Sequence, residues 1–219
     1  VISTNQGGAT FDITRLSQLN IDSTTQNWLF LGFFIAFAIK APLWPFHTWL
    51  PTAAKSATPG TSTLLLGVLD KVGTYGMIRF CMSFFPEATK TFTPAIITLA
   101  VISILYGAFL AIGQKDINSL IAFTSISHFG FITLGIFALT SQSLTGAIFY
   151  MVNHGFSTAA LFLIAGWMIA RRNSSKVQDF GGLQRVTPLL AWSFFIAGMS
   201  SLALPGLSSF VSEFLVLVG

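Results

Sequence analysis

Two lysines lie inside apolar runs in which a charge has no water around it. Lys40 follows FLGFFIAFAI, and Lys71 lies within LLLGVLDKVGTYG. A lysine at the centre of a membrane helix is unfavourable by roughly 2.5 to 3.5 kcal/mol, and such residues tend to mark ion or proton pathways. Burial disfavours the charged form of a lysine and a nearby carboxylate favours it, so the movement of a charged partner can load and unload a proton. These residues predict proton movement.

Two histidines and a glutamate extend this set. Like Lys71, His128 and His154 each lie ten or eleven residues into a predicted span, which is about 15 to 17 Å deep at the helical rise of about 1.5 Å per residue. Groups at one depth on different helices form a polar row parallel to the membrane, and histidine can pass a proton through its two nitrogens. Glu213 follows a predicted helix break, where a lone carboxylate without a function only costs stability. We predict that protons are carried by Lys40, Lys71, His128, His154 and Glu213.

Five further residues are candidates for auxiliary roles: His47, Asp70, Arg79, Thr124 and Ser127. Thr124, Ser127 and His128 are spaced i, i+3 and i+4, so two hydroxyls and an imidazole share one helix face. On that face they can hydrogen-bond to one another or hold water. This arrangement predicts a proton-relay surface.

Each candidate also has a purely structural interpretation. Lys71 can be an ion-pair partner, although the adjacent Asp70 is not its natural mate because side chains one residue apart diverge on a helix. Lys40 and Arg79 can extend along apolar surface to the membrane interface. His47 can satisfy the broken backbone next to it, and the two other histidines can be hydrogen-bonded core residues.

The composition excludes most other function classes. The chain has 219 residues, of which 53% are hydrophobic and 8% charged, whereas soluble domains carry about 25% charged residues. It is therefore a membrane protein. Its net charge of +4 is scattered, with no basic block longer than Arg171-Arg172, so nucleic acid is not an expected partner. The histidines are far apart, Cys81 is the single cysteine, and no glycine-rich phosphate loop occurs, so we expect no metal, redox or hydrolytic site.

Apolar runs divide the chain into a polar segment at 1–25, expected to be an extramembrane loop, and a transmembrane bundle at 26–219. At about 20 residues per crossing, the bundle contains about six spans. We place them near 26–50, 60–85, 93–113, 117–139, 144–170 and 187–219. The chain begins with Val and ends on an apolar run, which we interpret as a fragment of a longer protein.

Prolines interrupt the first and the last of these spans. Pro42 and Pro45 follow Lys40, and Pro205-Gly206 lies within the last span. Proline removes an amide donor and clashes with the preceding turn, so each site predicts either a broken helix or a simple kink. Broken helices at membrane depth are typical of transporter binding sites. The sequence predicts an all-α, polytopic membrane helix bundle with two proline-broken helices.

Five motifs resemble one known family. They are KAPLWPFHTWLP at 40–51, LLLGVLDKVGTYGMIRF at 64–80, DINSLIAFTSISHFGF at 116–131, TGAIFYMVNHGFSTAALFL at 145–163 and LALPGLSSFVSEF at 202–214. Together they resemble the antiporter-like subunits of respiratory complex I, the proton-pumping NADH:quinone oxidoreductase. The nearest type is the M type, called chain 4 in mitochondria. The resemblance covers about 26–219, and stand-alone multisubunit sodium/proton antiporters share part of it.

The resemblance implies an antiporter-like fold of two inverted repeats, each with one broken helix. Carried over by motif, Lys40 matches the lysine of the first broken helix, Lys71 the central lysine of the next helix, His128 and His154 the connecting relay, and Glu213 the acidic residue of the second broken helix. The family's carboxylate partner for Lys40 is expected before Val1. Asp70 departs from the family, since its position is more often apolar.

The same resemblance implies the cellular setting. The chain would be a non-redox, proton-translocating part of an electron-transport enzyme, with no cofactor of its own, while NADH, FMN, iron-sulfur clusters and quinone are used by other subunits. Its partners would be neighbouring antiporter-like subunits and the lipid bilayer. The motifs favour a multi-pass position in a bacterial cell membrane over one in the mitochondrial inner membrane. The alternatives are a subunit of a multisubunit cation/proton antiporter and a passive membrane scaffold.

Overall fold

The long apolar runs are helical, since a helix satisfies its backbone amides and carbonyls within one segment. The computed structural model describes residues 11–219, and none of these belongs to a β-strand. The α-helices are α1 Ile13–Leu16, α2 Ser23–Lys40, α3 Trp49–Ser56, α4 Pro59–Leu64, α5 Lys71–Gly76, α6 Pro86–Ile112, α7 Ile117–Phe137, α8 Ser141–Arg172, α9 Leu183–Val186, α10 Pro188–Ser201 and α11 Ser208–Val218. Two π-helical segments, Leu65–Leu69 and Met77–Met82, flank α5, and Val177–Asp179 forms a 3₁₀ turn.

Three helices in the described part of the chain are long and apolar enough to cross a membrane, namely α6, α7 and α8. They correspond to the predicted spans 93–113, 117–139 and 144–170, although α6 already begins at Pro86. The other three predicted spans consist of shorter helices. Residues 11–25, expected to form a loop, contain α1 and the start of α2, which Asp22 caps. The Thr25 hydroxyl and amide hold the pKa of the Asp22 carboxyl below its ordinary value.

Both proline sites are breaks rather than kinks. The α2 helix ends at Lys40 and helical backbone resumes only at Trp49. The indole of Trp49 donates to the carbonyl of Ile39 over 2.9 Å, which satisfies an acceptor that the break leaves free. At the second site α10 ends at Ser201 and α11 begins at Ser208, with Gly206 at a φ of 101°, a conformation that favours glycine.

Helix α7 lies between α6 and α8 and is buried over most of its length, whereas α6 exposes most of its surface. Two serines connect α6 and α7: Ser103 donates to the carbonyl of Ile126 over 3.2 Å, and Ser127 donates to that of Ile104 over 2.9 Å. Small and hydroxyl residues of this kind let membrane helices approach closely. The close approach buries the helix that carries His128.

Gly130 makes this approach possible and predicts a packing effect. A Cβ at Gly130 would lie 2.8 Å from the carbonyl oxygen of Ala100 and 2.9 Å from the amide nitrogen of Ile104. We expect Gly130→Val to destabilise the subunit by about 1 to 3 kcal/mol, because backbone atoms cannot move aside as side chains do. The measurement is the thermal midpoint of the detergent-solubilised protein. Gly32→Val is the control, since nothing lies within 4 Å of a Cβ there; equal midpoints for the two variants would contradict the prediction.

Candidate proton-relay site

Lys71 lies between two stretches of π-helix. Asp70, which separates Leu65–Leu69 from α5, keeps right-handed helical angles, and its amide donates to the carbonyl of Leu65 five residues earlier. The ammonium group of Lys71 donates to the carbonyl of Leu66 and lies 5.2 Å from the ring centre of Phe129 on α7. A carbonyl and an aromatic face both stabilise a cation without neutralising it. The π-helical turns, which are frequent at functional sites, give no signal in the sequence.

Glycines bring Lys71 against α8. A Cβ at Gly155 would lie 2.9 Å from the carbonyl oxygen of Gly67, so the Lys71 segment and α8 approach there at backbone distance. His154, next to Gly155 in the chain, is fully buried. The side chain of Lys71 lies beside this segment, since a Cβ at Gly155 would be 3.9 Å from its Cε. Beside this contact a groove of about 380 Å³ reaches Lys71 between Val68 and Val152.

The two central histidines are in ring contact across α7 and α8. The imidazole centres of His128 and His154 are 5.2 Å apart, with the rings nearly perpendicular, and Phe129 packs on His154 at the same centre distance. Both nitrogens of His154 and Nδ1 of His128 are buried without a hydrogen-bond partner among residues 11–219. The imidazole of His128 also contacts the backbone of Ser201, the last residue of α10. We call Lys71, His128 and His154 the relay cluster.

Glu213 connects to this cluster through a residue that the sequence did not single out. It lies in α11, just after the second break, and accepts a hydrogen bond from the hydroxyl of Tyr150 on α8. Tyr150 is 1% exposed, and its ring centre lies 5.7 Å from that of His128. Tyr150 precedes His154 by four residues, which places both on one helix face. That spacing was the available signal for it.

Lys40 has a partner within the described chain. Its ammonium nitrogen lies 3.7 Å from Oδ1 of Asp70, and the side chain of Asp70 is fully buried while that of Lys40 is 37% exposed. The sequence indicated that Asp70 does not face Lys71, and the structure places it toward Lys40 across the first break. The ammonium of Lys40 also lies 5.8 Å from the centre of the Trp49 ring. The family partner expected before Val1 lies outside the described residues.

The remaining auxiliary candidates are less closely associated with the relay cluster. The hydroxyl of Thr124 donates to the carbonyl of Leu120 over 2.8 Å, and Ser127 donates to α6, so neither hydroxyl donates to His128 as the shared face suggested. Both donors instead satisfy main-chain carbonyls, which are the nearest strong acceptors in a membrane helix. His47 is buried near the first break with its ring centre 4.9 Å from that of Tyr106. Arg79 is exposed on the second π-helical segment.

The comparison with known proteins agrees with the motifs. Residues 1–219 match the sequence model of the family described as NADH:quinone oxidoreductase/Mrp antiporter, TM. The chain belongs to this family. It is 52% identical, over its whole length, to the NADH-quinone oxidoreductase subunit M of Mycobacterium tuberculosis, of which it covers 41%. The chain thus spans about two fifths of that relative's length.

Solved members of the family have the same arrangement of helices. Respiratory complex I from Thermus thermophilus contains a chain that is 36% identical, with a TM-score of 0.91 over 95% of this chain and 45% of that one. A chain of the Mrp complex from Dietzia is 30% identical, with a TM-score of 0.79 over 84% of this chain and 34% of that one. The predicted fold class, a membrane bundle of the antiporter-like family, is confirmed.

Proposed function

We propose that this chain is a proton-translocating part of an antiporter-like membrane subunit of NADH:quinone oxidoreductase. Its role would be non-redox, its location a bacterial plasma membrane and its partners the neighbouring membrane subunits, while NADH, FMN, iron-sulfur clusters and quinone would be bound elsewhere in the complex. The identity to a Mycobacterium tuberculosis subunit M supports this assignment. The higher TM-score against complex I than against the Mrp complex favours it over the cation/proton antiporter alternative.

The relay cluster is the observation that carries the proposal. Lys71, His128 and His154 come from three helical segments and meet inside the bundle, where a simple membrane scaffold gains nothing from three ionisable groups. The ammonium of Lys71 is held by a carbonyl and a ring. Among the described residues neither nitrogen of His154 has a hydrogen-bond partner, so one nitrogen of the neutral imidazole can accept a proton while the other releases one. In this mechanism Lys71 stores the proton, and the two histidines pass it across α8 and α7.

Lys40 and Asp70 would supply the switch. When the two side chains are in contact, the positive charge of Lys40 offsets part of the negative charge of Asp70, so Asp70 stabilises the ammonium group of Lys71 less than it would alone. If the contact at the first break opened, the freed carboxylate would favour a proton on Lys71. Opening and closing of one ion pair would thus load and unload the relay cluster.

We expect His154→Gln to slow the proton-transfer step that this residue serves by at least about tenfold, since positioned proton-transfer groups typically contribute about 10² or more. Proton uptake per NADH in inverted membrane vesicles should fall as a result. Glutamine can hydrogen-bond but cannot titrate near neutral pH. NADH oxidation and assembly of the complex are measured alongside the uptake. The matched control is Ser157→Ala, one turn along α8, whose hydroxyl donates to the main-chain carbonyl of His154 and not to its imidazole.

The two alternatives give different results in the same vesicles. A cation/proton antiporter subunit predicts sodium-dependent proton exchange that needs neither NADH nor quinone. A passive scaffold predicts that His154→Gln pumps as well as the unmodified protein once the complex has assembled. Unchanged uptake per NADH in an assembled His154→Gln complex would overturn the proposed relay.

A further inference from the structure

Tyr150 occupies a position between the relay cluster and the last helix. Its side chain is 1% exposed, its hydroxyl donates to Oε1 of Glu213 on α11, and its ring lies 5.7 Å from that of His128 on α7, tilted by 44°. The phenol therefore contacts a predicted relay residue on one helix and a predicted terminal residue on another. We propose that the hydroxyl of Tyr150 carries the proton between His128 and Glu213.

The hydrogen-bonding capacity of the phenol fits this role. A tyrosine hydroxyl has one donor and also accepts through its oxygen. The donor is used on Glu213, which leaves the oxygen free to accept. Nδ1 of His128 is buried without a hydrogen-bond partner in the described part of the chain, and a buried polar atom without a partner is costly. The ring centres of His128 and Tyr150 lie 5.7 Å apart, so a small ring movement that brings Nδ1 within hydrogen-bond distance of the phenolic oxygen would give a proton on His128 an acceptor.

The transfer balances without any further reactant. A proton leaves the imidazolium of His128 and forms a new O–H bond at the oxygen of Tyr150. The original phenolic O–H bond breaks, and its proton moves to Oε1 of Glu213. The imidazole and the carboxylic acid end neutral, and the phenol is neutral before and after the step, so no tyrosinate accumulates.

The hydroxyl of Tyr150 is not needed to hold α11 in place. Ser143 donates to the carbonyl of Val216 over 3.1 Å, and Asn153 donates to the carbonyl of Ser208 over 3.1 Å. Helix α8 is therefore hydrogen-bonded to α11 on both sides of Glu213. Gly146 adds backbone contact, because a Cβ there would lie 2.9 Å from the amide nitrogen of Val216. A phenol serving only as an anchor would be redundant here.

The inference rests on the proposed function and is tested by Tyr150→Phe in the full-length subunit within its complex. We expect proton uptake per NADH to fall to the level of Glu213→Gln, and the double variant to be no worse than either single variant, since both remove one transfer step. Tyr75→Phe is the control, as Tyr75 is 55% exposed. Unchanged uptake in Tyr150→Phe would overturn the inference, whereas unchanged uptake in His154→Gln would overturn the proposed function itself.

Difluorotyrosine at position 150 tests whether proton uptake depends on the protonated phenol rather than on the packing of the ring. Its phenol keeps the hydrogen bond but ionises at lower pH, and an ionised phenol cannot donate. The titratable groups facing the phenol, His128 on α7 and Glu213 on α11, are unchanged, as are Lys71 and His154 in the cluster behind them. We expect the alkaline limb of the pH profile of proton uptake to move to lower pH. An unmoved limb would show that proton uptake does not depend on a protonated phenol and would overturn transfer through its oxygen.

Discussion

Lys71→Met abolishes the contribution of this chain to proton pumping while leaving NADH oxidation and assembly in place. We expect this result because methionine has nearly the length of lysine but no group that takes up a proton. Loss of a proton-transfer group slows its step by on the order of 100-fold or more. The measurement is NADH-driven proton uptake in inverted vesicles, expressed per NADH oxidised.

Two further variants give the Lys71 result its meaning. Lys71→Arg keeps a positive charge that does not dissociate in proteins, so we expect pumping to be lost here as well; retained pumping would mean that Lys71 supplies only a fixed charge. Lys55→Met removes a lysine from the exposed end of α3 and should pump normally. If Lys71→Met pumps as well as Lys55→Met, Lys71 is structural and the transport assignment loses its main support.

Lys40→Met should destabilise the protein more than Asp70→Asn. It leaves the fully buried carboxylate of Asp70 without its ion-pair partner, whereas Asp70→Asn leaves a half-exposed lysine that can reach polar surroundings. Removing one member of a fully buried ion pair costs about 3 to 5 kcal/mol of stability, whereas removing one member of an exposed pair costs less than about 1 kcal/mol. For this half-exposed pair we expect Lys40→Met to lower the free energy of unfolding by about 2 kcal/mol. The thermal midpoint of the solubilised protein measures the difference.

The double variant Lys40→Met with Asp70→Asn tests whether the two side chains act as a pair. We expect it to recover more than about half of the stability lost in Lys40→Met, because the uncompensated carboxylate is then gone. Pumping should stay low in all three variants, since each removes the proposed switch. Additive losses in stability would show that the two side chains do not interact.

Local chemistry explains why so much of the fold followed from the residues alone. Apolar runs without charged residues become helices in a membrane because no other single segment satisfies its backbone there. The positions of the interruptions beside Pro42 and Pro205 followed as well, since proline cannot donate an amide hydrogen, although the residues alone allowed a kink instead of a break at each site. The family followed from five motifs in order, which is a property of the chain and not of its packing.

Depth along each helix was the second property that the sequence made available. Lys71, His128 and His154 were expected at one level because each lies a similar number of residues into its span, and the bundle does bring them together. Depth needs only the rise per residue, which is the same for every helix. Rotation about the helix axis is different, because it depends on how neighbouring helices pack.

The pairings were therefore decided by tertiary structure. Asp70 lies next to Lys40, Ser127 donates to the backbone of α6, and Tyr150 donates to Glu213. Close contacts at Gly130, Gly155 and similar positions set the rotation of each helix, and the rotation decides which side chains meet. The π-helical turns around Lys71 have the same origin, since their extra residue per turn is maintained by tertiary contacts rather than by sequence propensity. The sequence by itself determined which residues are ionisable, how far along a helix each lies and where prolines interrupt the helices. Only packing in three dimensions decided which of these residues face one another, because it sets the rotation of each helix about its axis.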